Sequence, residues 1–203
     1  MIIGPKYKIC RAVGDEVFEK CQTPKYQMSR AKKVVKKGRK RGKTEYGTQL
    51  NEKQKVRYTY YISEKQFSGY VKSAQKNKTE PHNVLYYLLE TRLDNIVYRA
   101  GFASSRAFSR QSVSHGHILV NGKRVKIPSY HVSKGDIISV RPGSRGKGVF
   151  GRLKEINEGK TAPAWIAIDY SKFEATLTEE PREIGAQEAS LDFNTVIEFY
   201  SRV

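Results

Sequence analysis

Between Ser105 and Lys126 the sequence sets cations among amides and hydroxyls: Arg106, Arg110, Gln111, Ser114, His115, His117, Asn121, Lys123, Arg124 and Lys126. Guanidinium forks suit bidentate contact with phosphate, and Asn and Gln can also read base edges. No Asp or Glu occurs between 95 and 135, so no salt-bridge lacing is expected there. Such a surface suits binding a folded polyanion. RNA junctions are recognised largely through shape, phosphate and ribose hydroxyls, so breadth matters more than one sharp pocket.

A second cationic block is denser. Arg30, Lys32, Lys33, Lys36, Lys37, Arg39, Lys40, Arg41 and Lys43 follow one another with no acid among them. Gly38 and Gly42 interrupt any helix there, and like charges repel, so the run is expected to be largely disordered alone in solution. Overall, 38 Lys and Arg stand against 20 Asp and Glu, a formal charge of +18. Residues 1–60 carry +12, residues 91–150 carry +9, and residues 151–203 carry −4. Folding does not need this excess, which opposes compaction, so an external polyanion must neutralise it. The acidic C-terminal segment suits solvent or a basic protein neighbour. Hydrophobic content is low at 38%, yet 11% aromatics argue against full disorder.

Other chemistries find little support. No apolar run reaches the length of about 18 residues needed to span a membrane. The Arg106/Arg110 segment has too little apolar area for a membrane-surface helix, and the N-terminus lacks the apolar core of a secretory signal. Cys10 and Cys21 make no disulfide framework, which suits a reducing cytoplasm. His82, His115, His117 and His131 are dispersed, and His115 and His117 are too close in sequence for a helical metal pair. Gly143-Ser144-Arg145-Gly146-Lys147-Gly148 lacks the phosphate-loop spacing and its Ser/Thr, and reads as a flexible basic loop touching phosphate. No cofactor, metal or small-molecule substrate is predicted.

The elements that must position these residues are legible from periodicity. Leu50–Tyr61 reads as a helix. Ser63 and Gln66 have capping-box spacing for the next one. Val84, Leu85, Leu88, Leu89, Leu93, Ile96 and Val97 predict one helix over about 84–100, ended by Gly101. Ser105 and Gly116 bracket another, with Ser109, Ser112 and Val113 facing inward. Asn121-Gly122 between two apolar runs predicts a type I′ hairpin. Tyr130–Val132, Ile137–Val140 and Trp165–Asp169 read as strands. The apolar run Thr195–Tyr200 is expected to dock on the N-terminal helices. The class is α+β. Residues 1–90 form a mainly helical domain holding the basic segment 30–43. Residues 91–190 form a helix-helix-hairpin module (core 91–141) with a small antiparallel sheet, and 191–203 a docking segment.

The stretch Glu90-Thr91-Arg92-Leu93-Asp94-Asn95-Ile96-Val97-Tyr98-Arg99-Ala100-Gly101-Phe102 resembles the bacterial small-subunit ribosomal protein S4 family. So do Ser105-Arg106, Arg110-Gln111, Val113–Ile118, Val120-Asn121-Gly122 and Pro128-Ser129-Tyr130 after it. Gly4-Pro5-Lys6, Tyr46-Gly47, Glu52–Arg57, Ala164-Trp165 and Val196–Arg202 extend the likeness over nearly the whole chain. The resemblance implies a ribosomal protein of the cytoplasm. It would bind 16S rRNA at a multi-helix junction of the 5′ domain, nucleate assembly, contribute to decoding accuracy and touch ribosomal protein S5. It also implies RNA contacts at Lys6, Arg11, Tyr46, Lys53, Gln54, Lys55 and Arg57. Many relatives hold zinc with four cysteines. Here Tyr7 and Tyr26 stand at two of those places, four good ligands are lacking, and packing of Tyr7, Phe18 and Tyr26, or rRNA itself, must compensate. One alternative is a pseudouridine synthase-like RNA-modifying enzyme, suggested by Arg92-Leu93-Asp94. Against it, the triplet precedes the module and too little chain follows for a catalytic domain, so Asp94 is expected to cap or pair within the helix packing. Another alternative is a free translational repressor.

Overall fold

The computed structural model describes residues 3–34, 44–77, 79–146, 148–157, 162–182 and 190–202. In chain order the elements begin with α1 (Lys6–Val13), a 3₁₀ turn (Glu19–Gln22), α2 (Pro24–Val34), α3 (Glu45–Thr59) and α4 (Glu64–Ala74). Next come α5 (Pro81–Glu90), α6 (Leu93–Arg99), α7 (Arg106–Ser114), β1 (Ile118–Val120), β2 (Lys123–Arg124) and β3 (Ile137–Val140). Then follow α8 (Leu153–Asn157), β4 (Ile166–Asp169), β5 (Glu174–Leu177) and α9 (Phe193–Ser201). The class is α+β, as expected. The chain divides into two compact units, Met1–His82 with Gln187–Val203, and Asn83–Ala186.

In the first unit, α1 ends at Gly14, whose positive φ lets its N–H return to the Cys10 carbonyl. Cys10, Phe18, Cys21 and Tyr26 form a buried cluster, with Tyr7 packed against it and the Tyr7 and Tyr26 rings 5.1 Å apart. The expected aromatic packing is therefore present. Cys10 and Cys21, read above as making no disulfide framework, are joined to each other as a disulfide. The physical reason is local, since the 3₁₀ turn folds Cys21 back against the inward face of α1. These residues do not fit a zinc, because both sulfurs are bonded to each other. The start of the basic run is also corrected. Arg30 lies in α2, which continues to Val34 before the first glycine breaker. Residues 35–43 lie outside the described residues.

Helix α3 starts earlier than periodicity suggests, because Thr44 accepts a hydrogen bond from the Gly47 N–H at 3.2 Å. Ser63 caps α4 as expected, accepting from the Gln66 N–H. Asp192 caps α9 in the same way through Thr195. Helix α9 lies against α3 and α4, and there Lys53 donates to Glu64 at 2.8 Å while the Tyr200 hydroxyl donates to the same oxygen at 2.7 Å. Burial opposes ionisation of Glu64, but the bonds from Lys53 and Tyr200 and the charges of Lys53 and Arg57 outweigh it, and its pKa falls. Burial and then the Glu64 contact push the Tyr200 hydroxyl upward.

In the second unit the periodicity predicts one helix where the structure has two. Leu85, Leu89, Leu93, Ile96 and Val97 are all buried, but the chain breaks between α5 and α6, with Arg92 extended at ψ 138°. The break is held by tertiary bonds. Leu93 N–H donates to the Tyr130 carbonyl, Asp94 N–H to Pro128, and Val132 N–H to Thr91. The first two satisfy the first amides of α6, which lack a side-chain cap. The expected Tyr130–Val132 strand is accordingly reduced to a single bridge between Arg92 and His131. The sheet is antiparallel, in order β2-β1-β3-β5-β4. Asn121 and Gly122 both take positive φ, so the predicted hairpin turn is present. Ile118, Val120, Ile138 and Val140 pack with Ile96, Val97 and Val113 in one core. Ser109 and Ser112 are buried on the inner face of α7, as expected.

The Arg92 guanidinium grips Asp94 through both oxygens, at 2.9 and 2.6 Å, with both residues almost wholly buried. Arg110 reaches the same carboxylate at 3.1 Å. Asp94 thus pairs within the helix packing, as expected.

Three outcomes follow from these packings. Because Glu64 titrates below its ordinary 4.5 in the fold, its stabilisation is complete above that pH. It is lost as pH falls through the lower folded value. Denaturant titrations across pH should show this loss, and Glu64→Gln should flatten it; an unaltered acid slope in the variant would count against the linkage. Asp94→Asn strands buried cations and should cost about 3–5 kcal/mol in urea unfolding. Gly116 has φ +72°, and a Cβ there would lie 2.0 Å from Arg124 Nε. Gly116→Ala should cost roughly 1–3 kcal/mol, and part of that cost should vanish in an Arg124→Ala background, leaving backbone strain alone.

Candidate nucleic-acid interface

Ser105 caps α7 by accepting from the Phe108 N–H at 3.2 Å. The arginines on this helix are anchored from below. Arg106 donates from Nε to Asn95 Oδ1 at 2.9 Å and lies 4.5 Å over the Tyr98 ring. Asn95 in turn donates to buried Glu90, which also takes a two-point contact from Arg99 at 2.9 and 2.7 Å. Arg110 is tied to Asp94 with its side chain 20% exposed. The expectation that no salt bridges lace this face is corrected. Glu90, at the end of α5, and Asp94, in α6, lie before the acid-free stretch and reach in from these helices.

The C-terminal end of α7 is different. Gln111, Ser114 and His115 are exposed there. The Arg124 guanidinium, from β2, donates to the carbonyls of Gly116 and His115 at 3.0 and 2.9 Å. A cation at this terminus satisfies orphan carbonyls and opposes the helix dipole. It also joins helix and hairpin, which places them side by side. Lys123 and Lys126 are exposed beside it. Asn121 is exposed but engaged: its amide donates to Asp136 at 2.7 Å and its oxygen accepts from the Ile137 N–H at 2.9 Å. His117 is half-buried, with Nδ1 2.9 Å from the Ser144 hydroxyl.

In the first unit the predicted residues scatter. Lys53 and Lys55 are buried. Lys55 binds Asp15 at 2.9 Å and the Ser190 carbonyl. Burial resists ionisation of Asp15, yet the Lys55 bond and neighbouring charge hold its pKa below the ordinary value. Arg57 grips Gln54 at 3.0 and 2.6 Å and stacks 4.4 Å from the Tyr58 ring centre. Lys6 is half-buried with its ammonium 5.5 Å from the Phe18 ring, and Arg11 is half-buried. Arg30 and Tyr46 are exposed. Lys32 and Lys33 lie on α2, their side chains outside the described residues. Lys36, Lys37, Arg39, Lys40, Arg41 and Lys43 lie outside the described residues altogether. Arg141, outside the predicted set, lies in the stretch 137–154, which carries five cations and no acid.

Among the described residues no cluster of His, Cys, Asp or Glu could hold a metal ion, and no helix is long and apolar enough to cross a membrane. Residues 1–90 match the Ribosomal protein S4/S9 N-terminal domain and residues 91–138 match the S4 domain. The chain is 40% identical to the small ribosomal subunit protein uS4 of Thermotoga petrophila. Identity is 42% with the uS4 protein of Halothermothrix orenii and 43% with that of a Sulfurihydrogenibium species. Each of these alignments covers 98% of both chains. The chain belongs to the uS4 family of small ribosomal subunit proteins.

Proposed function

We propose that this chain is a non-catalytic constituent of the small ribosomal subunit that binds 16S rRNA at a helix junction of the 5′ domain, early in assembly. In this reading it contributes to decoding accuracy, works on the cytoplasmic ribosome and has ribosomal protein S5 as a neighbour. Residues 1–90, joined by 191–203, and residues 91–190 are the two RNA-binding parts. The observation that carries the reading is the surface at the end of α7 and the hairpin. Gln111, Ser114, His115, Lys123, Arg124 and Lys126 are all exposed there, and Arg124 fixes the spacing of the two elements through its bonds to His115 and Gly116. That the relatives are small ribosomal subunit proteins supports the ribosomal role.

The interface implied is narrower than the cation count of the sequence. Arg106 and Arg110 position the helix through Asn95 and Asp94, and the outward cations of the hairpin meet phosphate. Lys53, Lys55 and Arg57 hold the first unit together. The enzyme alternative lacks a free carboxylate at its key triplet, because Asp94 is buried between two arginines. No uridine isomerisation is expected in an assay on bound RNA.

Footprinting of the purified protein on 16S rRNA tests the proposal. Protection of a junction in the 5′ domain is expected, and equal binding to random polynucleotide at moderate ionic strength would end it. Lys123→Ala and Lys126→Ala should each weaken binding and lower the slope of log K against log salt by roughly one, as loss of a phosphate contact does. Thermal unfolding should be unchanged in both variants.

A further inference from the structure

The second unit contains a cleft of about 220 Å³ beside the hairpin-helix surface. Its walls are aromatic. Phe108 and Phe150 have ring centres 6.3 Å apart at 37°, and His117 lies 5.9 Å from Phe150. Ser144, 2% exposed, fixes the His117 ring through Nδ1 at 2.9 Å. Gly143 and Gly148 also line the cleft and bring no side chain into it. Arg141 also lines the cleft. Its neighbour Arg145 is engaged, donating to the Val140 carbonyl and lying over the Phe173 ring. The Arg141 guanidinium makes no hydrogen bond or ion pair among the described residues. In sequence, the stretch 137–154 holds five cations and no acid, a balance that favours an anionic chain.

We propose that this cleft receives one unstacked base of the bound RNA, stacked against Phe108 and His117 with Arg141 over its edge or its 5′ phosphate. Single-stranded loops and bulges present such bases, and aromatic faces and guanidinium planes are what they stack on. A bare phosphate would use Arg141 but gain nothing from three aromatic walls. Continuity with the proposed interface supplies the base, since His117 directly precedes β1 and follows the α7 cap. The inference rests on the RNA-binding reading and adds a base-recognition site to it.

The test uses the full chain, a 16S 5′-domain transcript and filter binding over a salt series. Phe108→Leu keeps apolar packing but removes the ring. Gly143→Leu adds a bulky side chain to the cleft lining, where a Cβ meets nothing nearer than Arg141 Nη2 at 4.0 Å. Each should weaken binding roughly five- to hundredfold, as loss of one stacked base does, with the salt slope unchanged. Wild-type affinity in both variants overturns the cleft while leaving the RNA-binding reading intact. Loss accompanied by a slope lowered by about one in Arg141→Gln, with Phe108→Leu unaffected, also overturns it in favour of a phosphate site. A wild-type protein with no rRNA preference would defeat both. If Phe108→Leu fails to fold, Gly143→Leu alone decides.

Discussion

One buried carboxylate holds the second unit in register. Asp94 accepts a two-point contact from Arg92 and a further bond from Arg110, and its own backbone carbonyl accepts from Ser109. A charge so placed loses hydration, and it is tolerated because the surrounding donors replace that water. The geometry has consequences in three directions. It stabilises the break between α5 and α6, it fastens α7 to α6, and through the Asp94 N–H bond to Pro128 it ties the segment after the hairpin to the same point. Glu90 repeats the logic one turn earlier, with Arg99 and Asn95 as its partners and Arg106 held at the next remove.

A chain with a formal charge of +18 must decide where each cation goes. Here many of the cations near acids in space are structural. Lys53 and Lys55 are drawn inside by Glu64 and Asp15, and Lys53 also lies over the Phe199 and Tyr200 rings of α9. Arginine takes the buried posts of the second unit, where a planar fork can satisfy two oxygens at once. Lysine takes the open hairpin, where a strongly hydrated point charge costs little to leave in water. The net charge therefore overstates the number of cations left to solvent, and the acids that engage the others lie outside the cationic stretches in sequence.

What could be read in advance was local. Ser105, Gly116 and Asn121-Gly122 specify their caps and turn through requirements on φ and on orphan N–H groups, which need only neighbouring residues. Glycine at 116 has a second reason that no local rule contains, since Arg124 occupies the space a Cβ would take. The break at Thr91–Arg92 was invisible because periodicity reports which side faces the core, and Leu89, Leu93 and Ile96 keep that side across the break. The tertiary bonds from residues 128–132 override it. The disulfide between Cys10 and Cys21 was missed because spacing along a chain does not say where a turn folds back. Arg106 and Arg110 stand four residues apart on α7, but their partners Asn95 and Asp94 come from α6, which helix spacing alone does not reveal.

Recognition of an RNA junction by shape requires that the points of contact keep fixed distances from one another. Otherwise the ordering entropy of the loop is charged against affinity. A two-residue type I′ turn with a short β2 would be free to tilt on its own, since an isolated hairpin is marginal in water. Here both ends of the hairpin are fastened. Asn121 ties its tip to Asp136 and Ile137, and Arg124 ties its return strand to the His115 and Gly116 carbonyls just past α7. Lys123 sits between these two fixings and Lys126 directly after them. Their ammonium groups keep rotamer freedom while their backbones do not. The result is a rigid spacing of flexible charges, which can follow a phosphate backbone without giving up the register set by the buried acids beneath.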